Sequence, residues 1–292
     1  MNDVAARPTR LLDHIRRCNN RDLARFRPFV VADQRIGWVR DDFIERLREF
    51  GDVFEFAADS VNLASRFDTV AARTVAMSGV VRALVQNRTF AKLRNENYAV
   101  VTEWGAPPLM LLDRSAVAPF GVKAFGVHVN GHTRRGGQTL LWIGRRALDK
   151  AVEPGKLDNM VAGGQPAGLS LTENLVKEAG EEAGIPRELA LRAKPAGAIT
   201  YCMEGERGLK PDTMFVYDLE IPEDFVPRNV DGEFSELHLM TFDEVVEVVR
   251  TSYDFKFNVS LVLIDFLIRV GHITPENEPD YLALLTGLHA SL

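Results

Sequence analysis

Apolar residues recur at helical spacing in some stretches and alternate in others, and these two periods lay out the chain. Leu11, Leu12 and Ile15, with Leu23 beyond them, predict a first helix. PFVVADQRIGWV reads as strand, turn and strand, and FIERLREF as a helix capped by Asp41 and ended by Gly51. A longer helix is predicted from Val70 to Leu84, and two strands, YAVVTEW and PLMLLD, lie across Gly105, Ala106 and Pro107. From about Ala116 the texture changes to glycine-punctuated alternation. FGVKAFGVHVNG, the turn HTRRGGQ and TLLWIGRR together predict an antiparallel hairpin. Farther on, GAITYCMEG, MFVYDLEI and LHLMTF read as strands separated by ERGLKPDT and PEDFVPRNVDGEFSE. Asp243 to Arg250 is predicted helical, VSLVLIDFLIRVG is an apolar helix too short to span a bilayer and therefore buried, and PDYLALLTGLHASL is a terminal helix.

One stretch departs from ordinary amphipathic patterning: GGQPAGLSLTENLVKEAGEEAGI, Gly163 to Ile185. Ser170 with Glu173 three places on has the form of a capping box, so the spacing predicts a helix from Leu171 to Ala183, closed by Gly184 and blocked by Pro186. At 100° per residue Glu178, Glu181 and Glu182 share one face, while Leu175, Val176, Ala179 and Ala183 share another that can enter a core. Three like charges so placed repel one another. A hard divalent cation relieves the conflict, because Mg²⁺ takes oxygen ligands and is commonly held by one or two carboxylates together with substrate phosphates. The bland alternative is a solvated acidic face.

Bulk properties narrow the function. The chain has 292 residues, 46% of them hydrophobic, enough for one large domain or two ordinary ones. A net charge of −6 argues against nucleic acid as the main partner, and an anionic substrate has to be met by local positive charge. Arg145, Arg146, Lys150 and Lys156 form such a cluster just before the acidic helix, either a phosphate-steering patch or an ordinary exposed loop. Cys18 and Cys202 lie far apart and have no disulfide or zinc spacing, as expected of free thiols in a reducing compartment. The N-terminus has no secretory apolar region, and Asp3 and Asp13 argue against a transit peptide, so a cytoplasmic protein with no membrane partner is expected. Trp38 and Trp104 are expected in the core.

The Gly163–Ile185 stretch resembles the Nudix box, G-x5-E-x7-R-E-U-x-E-E-x-G-U with U aliphatic, whose owners hydrolyse nucleoside-diphosphate-like compounds. Gly163, Glu178, Ala179, Glu181, Glu182, Gly184 and Ile185 fall in register. Leu169 stands where the pattern has its first glutamate and Lys177 where it has arginine. In the family those two side chains resemble an ion pair bracing loop against helix, so their joint replacement bears on loop rigidity and rate. FGVHVNG, WIGRR, GKLDNMVAGG and the region from LKPDT to NEPDY resemble the Nudix subfamily related to thiamine pyrophosphokinases, in which a Nudix domain carries an extra N-terminal domain. The relatives' tyrosine near His132 and proline at Phe257 are absent here.

What the resemblance implies is an α+β protein. A Nudix domain at residues 116–292, a mixed β-sheet sandwiched between helices, would follow an N-terminal α/β accessory domain at residues 1–115. The expected activity is Mg²⁺-dependent (or Mn²⁺-dependent) cleavage of a phosphoanhydride in a small organic diphosphate, with oxidised thiamine diphosphate as substrate class and a monomer or homodimer as the state. Glu178 and Glu182 would hold one ion with the carbonyl of Ala162 or Gly163, and Glu181 and Glu233 a second. Glu181 or Glu233 would accept the proton of the attacking water. Arg145, Arg146 and Lys150 would meet the phosphates, and His128 and His132 are candidate substrate contacts. Two alternatives are a Nudix-fold binding or regulatory protein with little catalysis, and an allylic isomerase with Cys202 as proton relay.

Overall fold

Residues 10–290 are described by a computed structural model, so the argument from Asp3 and the ends of the chain lie outside the described residues. After α1 (Leu12–Cys18), β1 (Phe26–Val31) and β2 (Gln34–Arg40) form the expected hairpin. Its two-residue turn, Ala32–Asp33, is left-handed at both positions, φ 49° and 59°, the geometry that matches strand twist. Strand runs directly into α2 (Asp41–Leu47): the cap is Arg40, still extended, and not Asp41 as the sequence suggests. Asp41 instead sits in the first turn, where a carboxylate favours the helix dipole. β3 (Phe54–Phe56) and β4 (Val61–Leu63) complete a sheet of order β2-β1-β4-β3, with β1 and β4 parallel. α3 (Val70–Gln86), capped by Thr69, covers the antiparallel pair β5 (Asn97–Val100) and β6 (Met110–Asp113). Phe29, Phe54, Leu84, Met110 and Phe120 are fully enclosed in the core between these layers.

A second sheet carries the later half of the chain. β7 (Ala124–Arg135) pairs parallel with β12 (Gly208–Glu220) and antiparallel with β8 (Gln138–Arg146). β7 changes partner along its length: Gly126–Val129 pair with β10 (Val161–Gly164), whereas His132–Arg135 pair with β8. The fork is bridged by β9 (Leu157–Asn159), which pairs with β8. After α4 (Leu171–Ala183) and α5 (Arg187–Ala190), β11 (Lys194–Gly205) and β12 (Gly208–Glu220) form a long hairpin, and β13 (Phe234–Thr241) closes the other edge against β8. LKPDT, expected as a connector, lies inside β12, because Leu209–Thr213 find cross-strand partners on β11 that override their polar composition. One sheet face packs on α6 (Phe242–Thr251), α7 (Val259–Arg269) and α8 (Tyr281–Gly287), with Leu11 and, from α1, Ile15 and Cys18 in the same core. The other face packs on α4. This is the expected α+β arrangement of a mixed sheet between helices.

Both cysteines are buried and unpaired, and no helix among the described residues is long and apolar enough to cross a membrane. Trp38 is half-buried beneath Arg35, but Trp104 is 49% exposed on the rings of Phe125 and Phe215 and is not a core residue. Strand β2 is in backbone contact with the turn that precedes β7. Trp38 N–H donates to the Phe120 carbonyl at 3.0 Å, and a Cβ at Gly37 or at Gly121 (φ 55°) would overlap the opposite backbone.

α4 spans the predicted residues. Ser170 Oγ accepts from Glu173 N–H at 3.2 Å, the Glu173 carboxylate accepts from Ser170 N–H at 2.8 Å, and Gly184 ends the helix at φ 62°. Ser170→Ala removes the hydroxyl that joins in this exchange and is expected to cost about 1 kcal/mol in chemical denaturation. An unchanged midpoint would show that the helix is held by packing alone.

Candidate active site

β10 and the stretch of β7 that pairs with it line a cavity of about 450 Å³. Local rules explain its acidic wall. The capping box fixes where α4 starts, helical spacing then places Glu178 and Glu182 one turn apart, and the β10 backbone meets both. Glu182 is only 6% exposed, and its Oε2 accepts the Ala162 N–H at 2.8 Å. The Glu178 side chain lies so close over Gly163 that a Cβ there would overlap it. Burial, and secondarily Glu178, Asp158 and Glu233, push the Glu182 carboxyl well above its ordinary value against the pull of that N–H. Burial also raises Glu178, against the Lys177 ammonium at 3.0 Å.

Opposite stand cations. Arg146 Nη1 is 2.8 Å from Asp158 and 2.6 Å from Glu233, Lys150 is 2.7 Å from Glu233, and Lys256 is 3.0 Å from Asp158. Arg94, Arg114, Arg207 and Lys210 line the same cavity. Burial, with Lys256 nearby, lowers His128 to about 4, so its ring is neutral at pH 7 and shares a hydrogen bond with Asn159 Oδ1 at 3.0 Å. The chamber thus sets two poorly neutralised carboxylates against a cationic wall.

The residues expected from the sequence divide accordingly. Glu178, Glu182, Glu233, Ala162, Gly163, Arg146, Lys150 and His128 all line the cavity. Three do not. Glu181 is half-exposed and paired with Lys177 at 2.8 Å. Arg145 neighbours Arg146 on a strand, so alternation turns it to the other face, where it meets Glu236 at 2.8 Å and the Gly155 carbonyl. His132 lies four residues along β7 from His128, about 13 Å away, with its ring against Phe266. Glu233 is present, yet both of its oxygens are engaged by Arg146 and Lys150.

The donor set suits a hard cation. Glu182 is a buried acid and Glu178 a partly buried one, both of raised pKa and sharing one cavity, and an oxygen-loving divalent ion there would offset the cost of ionising both, with the backbone of Ala162 and Gly163 at hand. Among the described residues no three His, Cys, Asp or Glu side chains converge, so the remaining ligands would have to be backbone, water and substrate oxygen. The loop before α4 is braced without the Glu–Arg pair displaced by Leu169 and Lys177. Asn174 Nδ2 donates to the Gly164 carbonyl at 2.9 Å, and Gln165 Nε2 to the Leu169 carbonyl at 2.6 Å. Sequence reasoning missed Arg94, Tyr98, Arg114, Arg207, Lys210 and Lys256, which belong to no spacing motif and reach the cavity only through tertiary contact.

Residues 10–124 match a domain of unknown function, DUF4743. Nudix hydrolase 20, chloroplastic, of Arabidopsis thaliana is 43% identical over 291 residues, covering 96% of this chain and 78% of the relative. Nudix hydrolase 24, chloroplastic, of the same plant is 43% identical over 284 residues with the same coverage. Among solved structures, the ADP-ribose complex of the Nudix domain of NrtR from Shewanella oneidensis is 11% identical, covers 52% of this chain and 90% of its own, and gives a TM-score of 0.42. The match to the two plant hydrolases spans 96% of the chain and hence both halves, and on that ground the chain belongs to the Nudix hydrolase family.

Proposed function

We propose that this Nudix hydrolase cleaves the phosphoanhydride of a small organic diphosphate with the help of a divalent cation, Mg²⁺ or Mn²⁺, held by Glu178 and Glu182. One observation carries the reading: the two acids face a cationic wall inside one cavity whose volume, about 450 Å³, is that of a small-ligand site. When bound, the cation supplies Lewis-acid neutralisation of the anhydride oxygens. The chain's own residues do the rest. Arg146 and Lys150, pre-set by Glu233 and Asp158, meet the negative charge that grows on the leaving phosphate. Neutral His128 and its Asn159 partner shape the floor without adding charge. Of the two carboxylates considered as proton acceptor, Glu233 has both oxygens occupied. Glu181 lies outside the cavity wall and is paired with Lys177, so either carboxylate would have to release its partner before taking the proton, and the choice between them stays open in this reading.

The subfamily resemblance makes oxidised thiamine diphosphate the substrate class of choice. The division into an accessory unit at residues 1–115 and a hydrolase unit at 116–292 is part of the same reading. The separation of the cores supports two units, although Ala116, Val117, Phe120 and Val122 pack in the first core and α1 reaches across to the second.

Mg²⁺-dependent product release from thiamine, oxidised thiamine, nucleotide and sugar diphosphates tests the proposal. Monophosphate and phosphate should appear with at least one of them. Tight binding of a diphosphate with no turnover across the whole panel would point instead to a binding or regulatory protein on the same fold.

A further inference from the structure

The cavity has a wall that the hydrolase half does not supply. Ala167 N–H, in the loop before α4, donates to the Asn97 carbonyl of β5 at 2.8 Å, which fastens the earlier segment to the glycine loop. Tyr98 then projects against Gly164: a Cβ at Gly164 would overlap its hydroxyl and would stand 3.6 Å from Arg114 Cζ. Glycine at 164 is therefore what allows the two halves to close on each other. The Asp113 carboxylate ties the two arginine-bearing turns together. It accepts the backbone N–H of Arg94 at 3.2 Å, of Asn95 at 2.9 Å and of Ser115 at 2.9 Å, with the Ser115 hydroxyl at 2.6 Å. Arg114 keeps one ion pair, to Glu96 at 2.9 Å, and its side chain is half exposed. Arg94 makes no ion pair among the described residues, and both arginines line the cavity that holds Glu178 and Gly163.

We infer that the segment preceding the hydrolase half is a working wall of the site, with Arg94 and Arg114 gripping the phosphate end of the substrate across from Glu178 and Glu182. The inference rests on reading the cavity as a diphosphate site. Guanidinium groups suit the task because their planar donor fork matches phosphate oxygens and stays charged at any working pH. Asp113 acts as a positioning residue, holding both turns in one orientation through backbone bonds. Tyr98 is buried and its phenol is held well above its ordinary value by burial, so it stays neutral and presents a polar edge to the glycine loop without adding charge.

The test uses the full chain and a probe that cannot be cleaved, methylenediphosphonate with Mg²⁺, titrated by calorimetry into wild type, Arg94→Ala, Arg114→Ala, the double variant and Arg114→Lys. Loss of two charge-assisted contacts should weaken binding about tenfold or more in the double variant, with Arg114→Lys intermediate. Where a substrate is turned over, KM should rise about as much while kcat stays within about threefold, since these groups bind and do not react. Unchanged thermal midpoints would separate this from unfolding. A double variant that binds as wild type does would overturn the inference and leave the diphosphatase reading standing. Failure of the wild type itself to bind the probe would overturn both.

Discussion

Glu182→Gln is expected to lower divalent-cation-dependent turnover by about 100-fold or more if the proposed cation site is right, because it would replace a charged ligand by a neutral one in a buried position. Gln can still accept the Ala162 N–H, so the helix and β10 should keep their spacing. The same substitution should stabilise the cation-free protein at neutral pH. The folded Glu182 carboxyl lies well above the ordinary 4.5, chiefly through burial. Between about that value and the folded one, the native state keeps a proton that the unfolded chain gives up, so wild-type stability falls as pH rises. Glutamine does not titrate, and its curve should lack this fall. Urea denaturation in chelator from pH 4 upward should find the variant's advantage growing with pH. An advantage that does not change with pH would mean that the carboxylate is well solvated, and one that shrinks would mean that a partner holds it below its ordinary value.

Asp158→Asn should have the largest cost to stability, about 3 kcal/mol or more, because it leaves Arg146 and Lys256 facing an amide in place of a charge. Its pH signature runs the other way. Burial by itself would raise the Asp158 carboxyl, but Lys256 and then Arg146 outweigh it and hold the group below its ordinary 3.8. A lowered folded value means stabilisation that is fully present above the unfolded value and is lost as pH falls through the folded one. The deficit of the asparagine variant should therefore be constant at neutral pH and close only in acid. A loss near zero in urea denaturation would show that the two cations are satisfied by Glu233 and water without Asp158.

What could be read in advance follows from how local each determinant is. The limits of α4 depend on Ser170, Glu173 and Gly184, all within the helix or one residue from it, and were predicted to the residue. The β7–β8 hairpin was legible as a hairpin but not in its limits: Gly136 and Gly137 alone take the positive φ of the turn, while His132–Arg135, expected in the turn, are paired in β7 with β8. Side-chain direction was less so. Arg145 and Arg146 look equivalent in the sequence, and only strand alternation sends one out to Glu236 and the other in to Asp158. Glu233 was found by place but not by state, because its partner Arg146 lies 87 positions away. Arg94 and Arg114 could not be recognised at all. Their relation to Glu178 exists only once β5 docks on the loop before α4, and no pattern within the first 115 residues encodes that contact.

The central claim, that Glu178 and Glu182 seat a divalent cation, is tested most directly by titrating Mn²⁺ into the full-length protein and following the free ion by its paramagnetic resonance. Wild type should take up Mn²⁺ with an affinity that falls at least about tenfold in both Glu178→Gln and Glu182→Gln. Uptake that is absent in the wild type, or equal in all three proteins, would contradict the account.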